Sequence, residues 1–220
     1  MLELFHDVTY QTSCGQLIDL ITAPIGQVDL SKYTIETYMR IVTYKTAFYT
    51  FYLPAAAAMH LFGVTDAAAF ATAREICIRL GQFFQIQDDY LDCYGAPEVI
   101  GKVGTDIEDN KCSWLVVQAM TRCTPEQRST IEVCGLPGRL TFPHFPVLNC
   151  FCLPYVNYGQ NDPAKVATIK ALYKELDLEA VYHAYEDKAH GELSALIQGQ
   201  TALPQGLFMD MLSKIYKRSK

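Results

Sequence analysis

Apolar residues recur at helical spacing over most of the chain, in segments separated by Gly, Pro and Asp. That periodicity predicts helices, and strand patterns are scarce. The first helix is expected from Met1 to Thr22, ending at the turn Ala23 to Gly26. A second is expected from about Thr34 to His60, kinked at Pro54, because proline withholds an amide and crowds the preceding turn. Thr65 and Asp66 should cap a third, Ala67 to about Cys93. A glycine-punctuated loop, Gly95 to Asp109, precedes a helix from about Lys111 to Thr121. Thr124-Pro125-Glu126-Gln127 has a capping-box pattern with proline at the first helical position. Helices are then expected from Pro163 to Leu176, from Glu179 to Gln198, and from near Pro204 into the basic C-terminus. The pattern is that of an all-α domain.

Two stretches depart from it. Ala47 to Val64 carries no formal charge and mimics a membrane span. Its Tyr49, Tyr52, Pro54 and His60 suit the buried helix of a soluble bundle better. From Val133 to Val156 the chain reads VCGLPGRLTFPHFPVLNCFCLPYV, with four prolines, two glycines and no helical period. It is too apolar for a solvated loop, and structureless insertions of that length are uncommon in compact domains. It is expected to be an atypical Pro-rich insertion in a single domain spanning 1–220.

Composition narrows the class. The 220 residues are 50% hydrophobic and 19% charged, an ordinary globular balance. The formal net charge of −6, without a basic stripe, argues against nucleic-acid binding. Eight cysteines, with no Cys-x-x-Cys pair, sit mostly in apolar runs. Reduced structural thiols in a cytoplasmic compartment are therefore expected, not disulfides or a zinc site.

Candidate chemistry concentrates in Asp88-Asp89-Tyr90-Leu91-Asp92. Gln85, Asp88, Asp89 and Asp92 fall at i, i+3, i+4 and i+7, on one helical face. Like charges so placed repel, and burying them unpaired is prohibitive. Either a cation sits among them or the face is a solvated acidic one. Magnesium suits the first reading, because it takes carboxylate oxygens, keeps waters and bridges to phosphates. Lys45-Thr46, in an aromatic helix, could neutralise a phosphate oxygen or simply snorkel to solvent. Gln16 and Asp19 share a face of the first helix. Gly101-Lys102-Val103-Gly104-Thr105-Asp106, with Lys111 beyond, is a loop able to close on an anion, and it lacks the nucleotide-binding fingerprints. Lys214, Lys217, Arg218 and Lys220 form a basic end, either a solvated tail or a cover for an anionic substrate.

Taken together, FFQIQDDYLDCYG (Phe83 to Gly95), IGKVGTDIEDNKCSWLVVQ (Ile100 to Gln118), YKTAFYTFYLP (Tyr44 to Pro54), YQTSCGQLIDLITAP (Tyr10 to Pro24) and KIYKR (Lys214 to Arg218) resemble the farnesyl diphosphate synthase family of short-chain trans-prenyltransferases. The likeness runs through Met1 to Glu132 and resumes at Asn157-Tyr158-Gly159-Gln160. It implies an all-α helical bundle of the isoprenoid synthase type, here the C-terminal part and incomplete at the N-terminus. It also implies a magnesium-dependent condensation of an allylic diphosphate (dimethylallyl or geranyl) with isopentenyl diphosphate to farnesyl diphosphate, usually by a homodimer. By motif match, Asp88, Asp89 and Asp92 resemble the second aspartate-rich motif, with Asp88 first among the metal ligands and Asp19 supporting. Lys45 and Lys102 would contact the allylic diphosphate, and Thr46 and Gln85 would face the carbocation. Lys111, Gln16 and Tyr49 are supporting substrate contacts, and Arg218 belongs to the tail that closes over isopentenyl diphosphate.

The departures bear on activity. The chain contains no second Asp-Asp-x-x-Asp, and the family has no counterpart of Val133 to Val156. One carboxylate wall positions two diphosphates poorly, so impaired turnover is expected of this chain. The alternatives are a non-catalytic diphosphate-binding partner of a complete enzyme and, third, a terpene cyclase, disfavoured by the GKVGTD loop and KIYKR ending.

Overall fold

The computed structural model describes residues 1–24, 27–133 and 155–218. Ten α-helices are present among them: α1 (Leu2–Thr22), α2 (Ile35–Val42), α3 (Leu53–Leu61), α4 (Ala67–Tyr94), α5 (Pro97–Ile100), α6 (Trp114–Arg122), α7 (Pro125–Ile131), α8 (Pro163–Glu175), α9 (Leu178–Gly199) and α10 (Gln205–Ile215). The strand content of the described residues is one antiparallel ladder, β1 (Glu132–Val133) with β2 (Tyr155–Val156). The all-α expectation therefore holds. The expected insertion, apart from Val133, Tyr155 and Val156, lies outside the described residues.

Caps fall where the sequence places them. Asp66 accepts from Ala68 N at 3.0 Å and starts α4. Thr124 and Gln127 form a reciprocal box, Thr124 N to Gln127 Oε1 at 2.9 Å and Gln127 N to Thr124 Oγ1 at 3.2 Å. The helix expected from Thr34 to His60 is continuous, but between α2 and α3 it widens into a π-helical segment, Thr43–Tyr52. Leu53 N donates to Phe48 O, five residues back, immediately before Pro54. Proline can donate nothing to the preceding turn, and the wider turn relieves its ring.

The π-helical segment packs between α1 and α4, α4 packs on α9, and α9 on α10. α6 crosses α2, α4 and α9, while α8 joins α7 to α9. Two clusters form the core. One gathers Trp114, Leu115, Tyr158, Tyr173 and Tyr182 around α6 and α8. The other gathers Ile76, Leu80, Phe83, Phe208 and Leu212 between α4, α9 and α10. Each such side chain contributes about 1.5–3 kcal/mol by burial. Ala47, Phe48, Phe51, Ala56 and Met59 of the uncharged stretch are buried in the bundle, and no helix of the described residues is long and apolar enough to cross a membrane.

One close approach sets the geometry of the site. α1 meets the π-helical segment at Gly15, where a Cβ would lie 2.6 Å from Tyr44 C and 2.7 Å from Lys45 Cα. Only glycine lets the two backbones come so near.

Candidate active site

α4 delivers its three aspartates in different environments. Asp88 is 42% exposed. Asp89 is buried, and its carboxylate accepts from Trp114 N at 2.7 Å and Gln85 Nε2 at 2.9 Å. The buried Tyr38 hydroxyl approaches the same group without reaching hydrogen-bond geometry. Asp92 is also buried; its Oδ2 accepts from Asp106 N at 3.0 Å, and its Oδ1 lies 3.3 Å from Lys102 Nζ. A solvated acidic face would leave all three in water, and this one does not.

Opposite them the lysines converge. Lys45 Nζ donates to the buried Asp19 carboxylate at 2.5 Å, and Lys111 Nζ lies 3.6 Å from the same oxygen. Asp19 thus orients two cations. Thr46 Oγ1 donates to Gln85 Oε1 at 3.0 Å, so Thr46, Gln85 and Asp89 form one hydrogen-bonded chain across the π-helical segment and α4. A cleft of about 110 Å³ is lined by Asp19, Lys45, Thr46, Gln85, Asp89 and Lys111, with Tyr38, Asp106 and Ser113 among its other walls.

The Gly101–Lys111 loop is tied to α4 through Gly104, where a Cβ would lie 2.6 Å from Asp92 C and 2.7 Å from Asp92 Oδ2. Its far end is fixed by Tyr158, whose hydroxyl donates to Lys111 O at 2.6 Å, and by Gly159 N, which donates to Ile107 O at 2.8 Å. The segment in which the sequence likeness resumes is thereby an integral support of the lysine loop.

Charge crowding shapes the titration. Burial raises the Asp106 carboxyl well above the usual range, and Asp89 and Asp92 raise it further. Burial also raises Asp89, against the hydrogen bonds from Gln85 and Trp114. Partial burial opposes the charge on Lys102, but Asp88, Asp92 and Asp106 outweigh it and raise its pKa. The site holds more negative charge than it can comfortably ionise, the condition that an added cation relieves.

From the C-terminus, Arg218 stacks on Phe84, its guanidinium carbon 3.9 Å from the ring centroid, and reaches within 3.5 Å of Asp88 Oδ1. Of the basic end, Arg218 is docked against α4 and is not part of a free tail.

Of the residues singled out in the sequence, Asp19, Lys45, Thr46, Gln85, Asp89 and Lys111 share the cleft, and Asp88, Asp92, Lys102 and Arg218 are joined along α4. Gln16 and Tyr49 are exposed and line no part of the cleft. Among the described residues no three His, Cys, Asp or Glu side chains converge as a ready-made metal cage. The sequence pattern does not single out Asp106 or Tyr38 as site residues. Asp106 ends the GKVGTD loop, two residues after the glycine that touches Asp92, while Tyr38 reads as an ordinary apolar helix position.

The polyprenyl synthetase family profile matches residues 1–135. The chain belongs to the polyprenyl synthetase family. Members with similar sequences include the farnesyl pyrophosphate synthases of Rattus norvegicus, 51% identical over 100% of this chain and 56% of that protein, and of Homo sapiens, 48% identical over 100% of this chain and 47% of that protein. The Saccharomyces cerevisiae farnesyl pyrophosphate synthase is 45% identical over 99% and 56%. Among solved structures, a T. brucei farnesyl diphosphate synthase complexed with the bisphosphonate BPH-722 superposes with a TM-score of 0.83 at 32% identity, covering 100% of this chain and 58% of that one. The complex with risedronate gives 0.81 at 32% identity, covering 100% and 59%. This polyprenyl synthetase chain spans about half the length of the curated relatives it matches. The isoprenoid-synthase fold expected from the sequence is the fold of these neighbours.

Proposed function

We propose that this chain carries one diphosphate-binding wall of a prenyltransferase that condenses dimethylallyl or geranyl diphosphate with isopentenyl diphosphate to farnesyl diphosphate. The carrying observation is the pairing of cations with carboxylates along one cleft: Lys45 and Lys111 on Asp19, and Lys102 on Asp92. Such pairs hold the ammonium groups in place, and each retains donors for a phosphate oxygen.

The donor set suits magnesium. One or two carboxylates, completed by waters and substrate phosphates, is the coordination that magnesium prefers. The half-exposed Asp88 would be the first ligand from this wall. Asp92 and Asp106 stand behind it as further oxygen donors, and Asp89, already engaged by Gln85 and Trp114, aligns the helix. Asp19 serves by orienting Lys45 and Lys111. Bound magnesium would supply Lewis-acid stabilisation of the departing diphosphate.

In this reading Lys45, Lys102 and Lys111 bind the allylic diphosphate and stabilise the charge it gains as its carbon–oxygen bond breaks. The Thr46 and Gln85 oxygens, fixed by their mutual hydrogen bond, face the allylic cation and favour positive charge there. The double bond of isopentenyl diphosphate forms the new carbon–carbon bond, and loss of a proton restores the alkene. Arg218 covers the second diphosphate. Gln16 and Tyr49, exposed and outside the cleft, make no substrate contact in this reading.

Homodimerisation belongs to the same proposal, supported by the exposed Leu17, Leu20 and Ile21 on α1; sedimentation of the chain tests it. A cytoplasmic location is supported by Cys14, Cys77, Cys93 and Cys112, which are thiols among the described residues.

The test is formation of farnesyl diphosphate from geranyl and isopentenyl diphosphates, with Asp88→Ala in parallel. Turnover lost in the variant supports the proposal. Magnesium-dependent binding without turnover assigns the chain to the non-catalytic diphosphate-binding reading. Neither binding nor turnover would overturn both.

A further inference from the structure

Glu186 of α9 is a buried carboxylate that the condensation does not use. It is 3% exposed. Its Oε1 accepts from Tyr182 OH at 3.1 Å, from Lys217 N at 3.2 Å and from Gln87 Nε2 at 3.3 Å, and its Oε2 lies 3.7 Å from His183 Nδ1. Leaving a carboxylate in the core is costly unless donors surround it, and here they come from three separate elements. Two of these donors have telling neighbours. Gln87 immediately precedes Asp88 on α4, and Lys217 immediately precedes Arg218.

We infer that Glu186 is a positioning residue: a buried carboxylate that holds the C-terminal segment and α4 in register so that Arg218 meets Asp88. The inference rests on the reading of the α4 acidic face as the cation and diphosphate site.

The chain beyond α10 needs such an anchor. Lys217 has a left-handed backbone, φ 52°, which a lysine adopts at some cost. With the Lys217 amide fixed on Glu186, the turn directs Arg218 back onto Phe84, where its side chain is only 16% exposed. Arg218 Nε is buried without a hydrogen-bond partner among the described residues. The guanidinium is therefore held by the Phe84 ring and by one long contact to Asp88, and its placement depends on the turn that delivers it. Tyr216 locks the same turn from the side, its hydroxyl donating to Asp187 Oδ1 at 2.9 Å and its ring stacked on His190 at 3.9 Å. Those contacts are exposed, so Glu186 is the enclosed one of the set.

The test is Glu186→Gln, which keeps the shape and removes the charge. Without ligand, trypsin should release the residues after Lys217 ~10-fold faster than from the unmodified chain, the factor that separates a charge-assisted from a neutral hydrogen bond. Cleavage after Lys174 in α8 should be unchanged. Equal rates after Lys217, or equal acceleration at both sites, would overturn the inference in favour of a merely structural carboxylate. Should the variant not fold, hydrogen exchange of the unmodified chain decides: a protected Lys217 amide supports the anchor, and an unprotected one overturns it. Titration with magnesium and inorganic pyrophosphate is the separate arm. No binding by the unmodified chain would remove the diphosphate reading while leaving the tail measurement to stand or fall alone.

Discussion

Replacing Gly15 by alanine should separate two helices at the point where Lys45 is held. The added methyl would sit 2.6 Å from Tyr44 C and 2.7 Å from Lys45 Cα, nearer still to Lys45 N. Ordinary carbon contacts need about 3.5–4.0 Å, so the shortfall is about 1 Å and falls on backbone that cannot rotate away. Overpacking of this kind costs about 1–3 kcal/mol, and the fixed backbone places Gly15→Ala at the upper end. Alanine returns about 1 kcal/mol of helix propensity, leaving a net loss of about 2 kcal/mol. In a chain of this size that lowers Tm by about 4–8 °C. Lys45 moves with its backbone, so its bond to Asp19 and its reach to a phosphate shift together. Affinity for magnesium pyrophosphate should fall about 10-fold. Gly191 in α9 is the control, because a Cβ there meets nothing within 4 Å; Gly191→Ala should raise Tm. Thermal unfolding and calorimetry read both effects. A Gly15→Ala chain as stable as Gly191→Ala, with unaltered binding, would refute the close-approach argument.

Three further outcomes follow from the same geometry. Asp106 holds its proton more tightly folded than unfolded, so its contribution to stability declines as pH rises from 3.8 through its folded value of about 8; Asp106→Asn should therefore gain Tm over the unmodified chain progressively across that range, and a gain confined to acid pH would contradict it. Thr124→Ala removes one half of the α7 box and should cost about 1 kcal/mol in denaturant unfolding, and no loss would show that the reciprocal bonds do not contribute. We propose that residues 133–156 are an insertion outside the family pattern. Ile131 O already accepts from Asn157 N at 3.2 Å, so joining Glu132 to Asn157 should leave a folded chain with Tm unchanged or raised, and loss of folding would contradict the proposal.

The helices were legible because their signals are local. Asp66, Thr124 and Gln127 cap where their side chains can reach, and the α4 register alone places Gln85 and Asp89 one turn apart. Lys45, Thr46, Lys102 and Arg218 could be placed near the aspartates only through motif resemblance, since no spacing rule links α1, the π-helical segment and the C-terminus. The division of labour among the acids was not legible. Asp19 and Asp88 look alike in sequence, yet one is buried beside two lysines and the other is half-exposed beside Arg218. The settings of Lys45 and Asp92 depend on Gly15 and Gly104, whose roles are close approaches between distant segments. The same holds for Glu186, an unremarkable residue of α9 until Gln87 and Lys217 are brought to it. The π-helical widening before Pro54 was likewise hidden, because Pro54 announces a disturbance without specifying its form.

The most direct test of the diphosphate-binding wall is calorimetric titration of the purified chain with geranyl diphosphate, with and without magnesium, repeated with Asp88→Ala. The account predicts binding that requires magnesium and is lost in the variant. Binding that is indifferent to magnesium and to Asp88, or no binding in any condition, would contradict it.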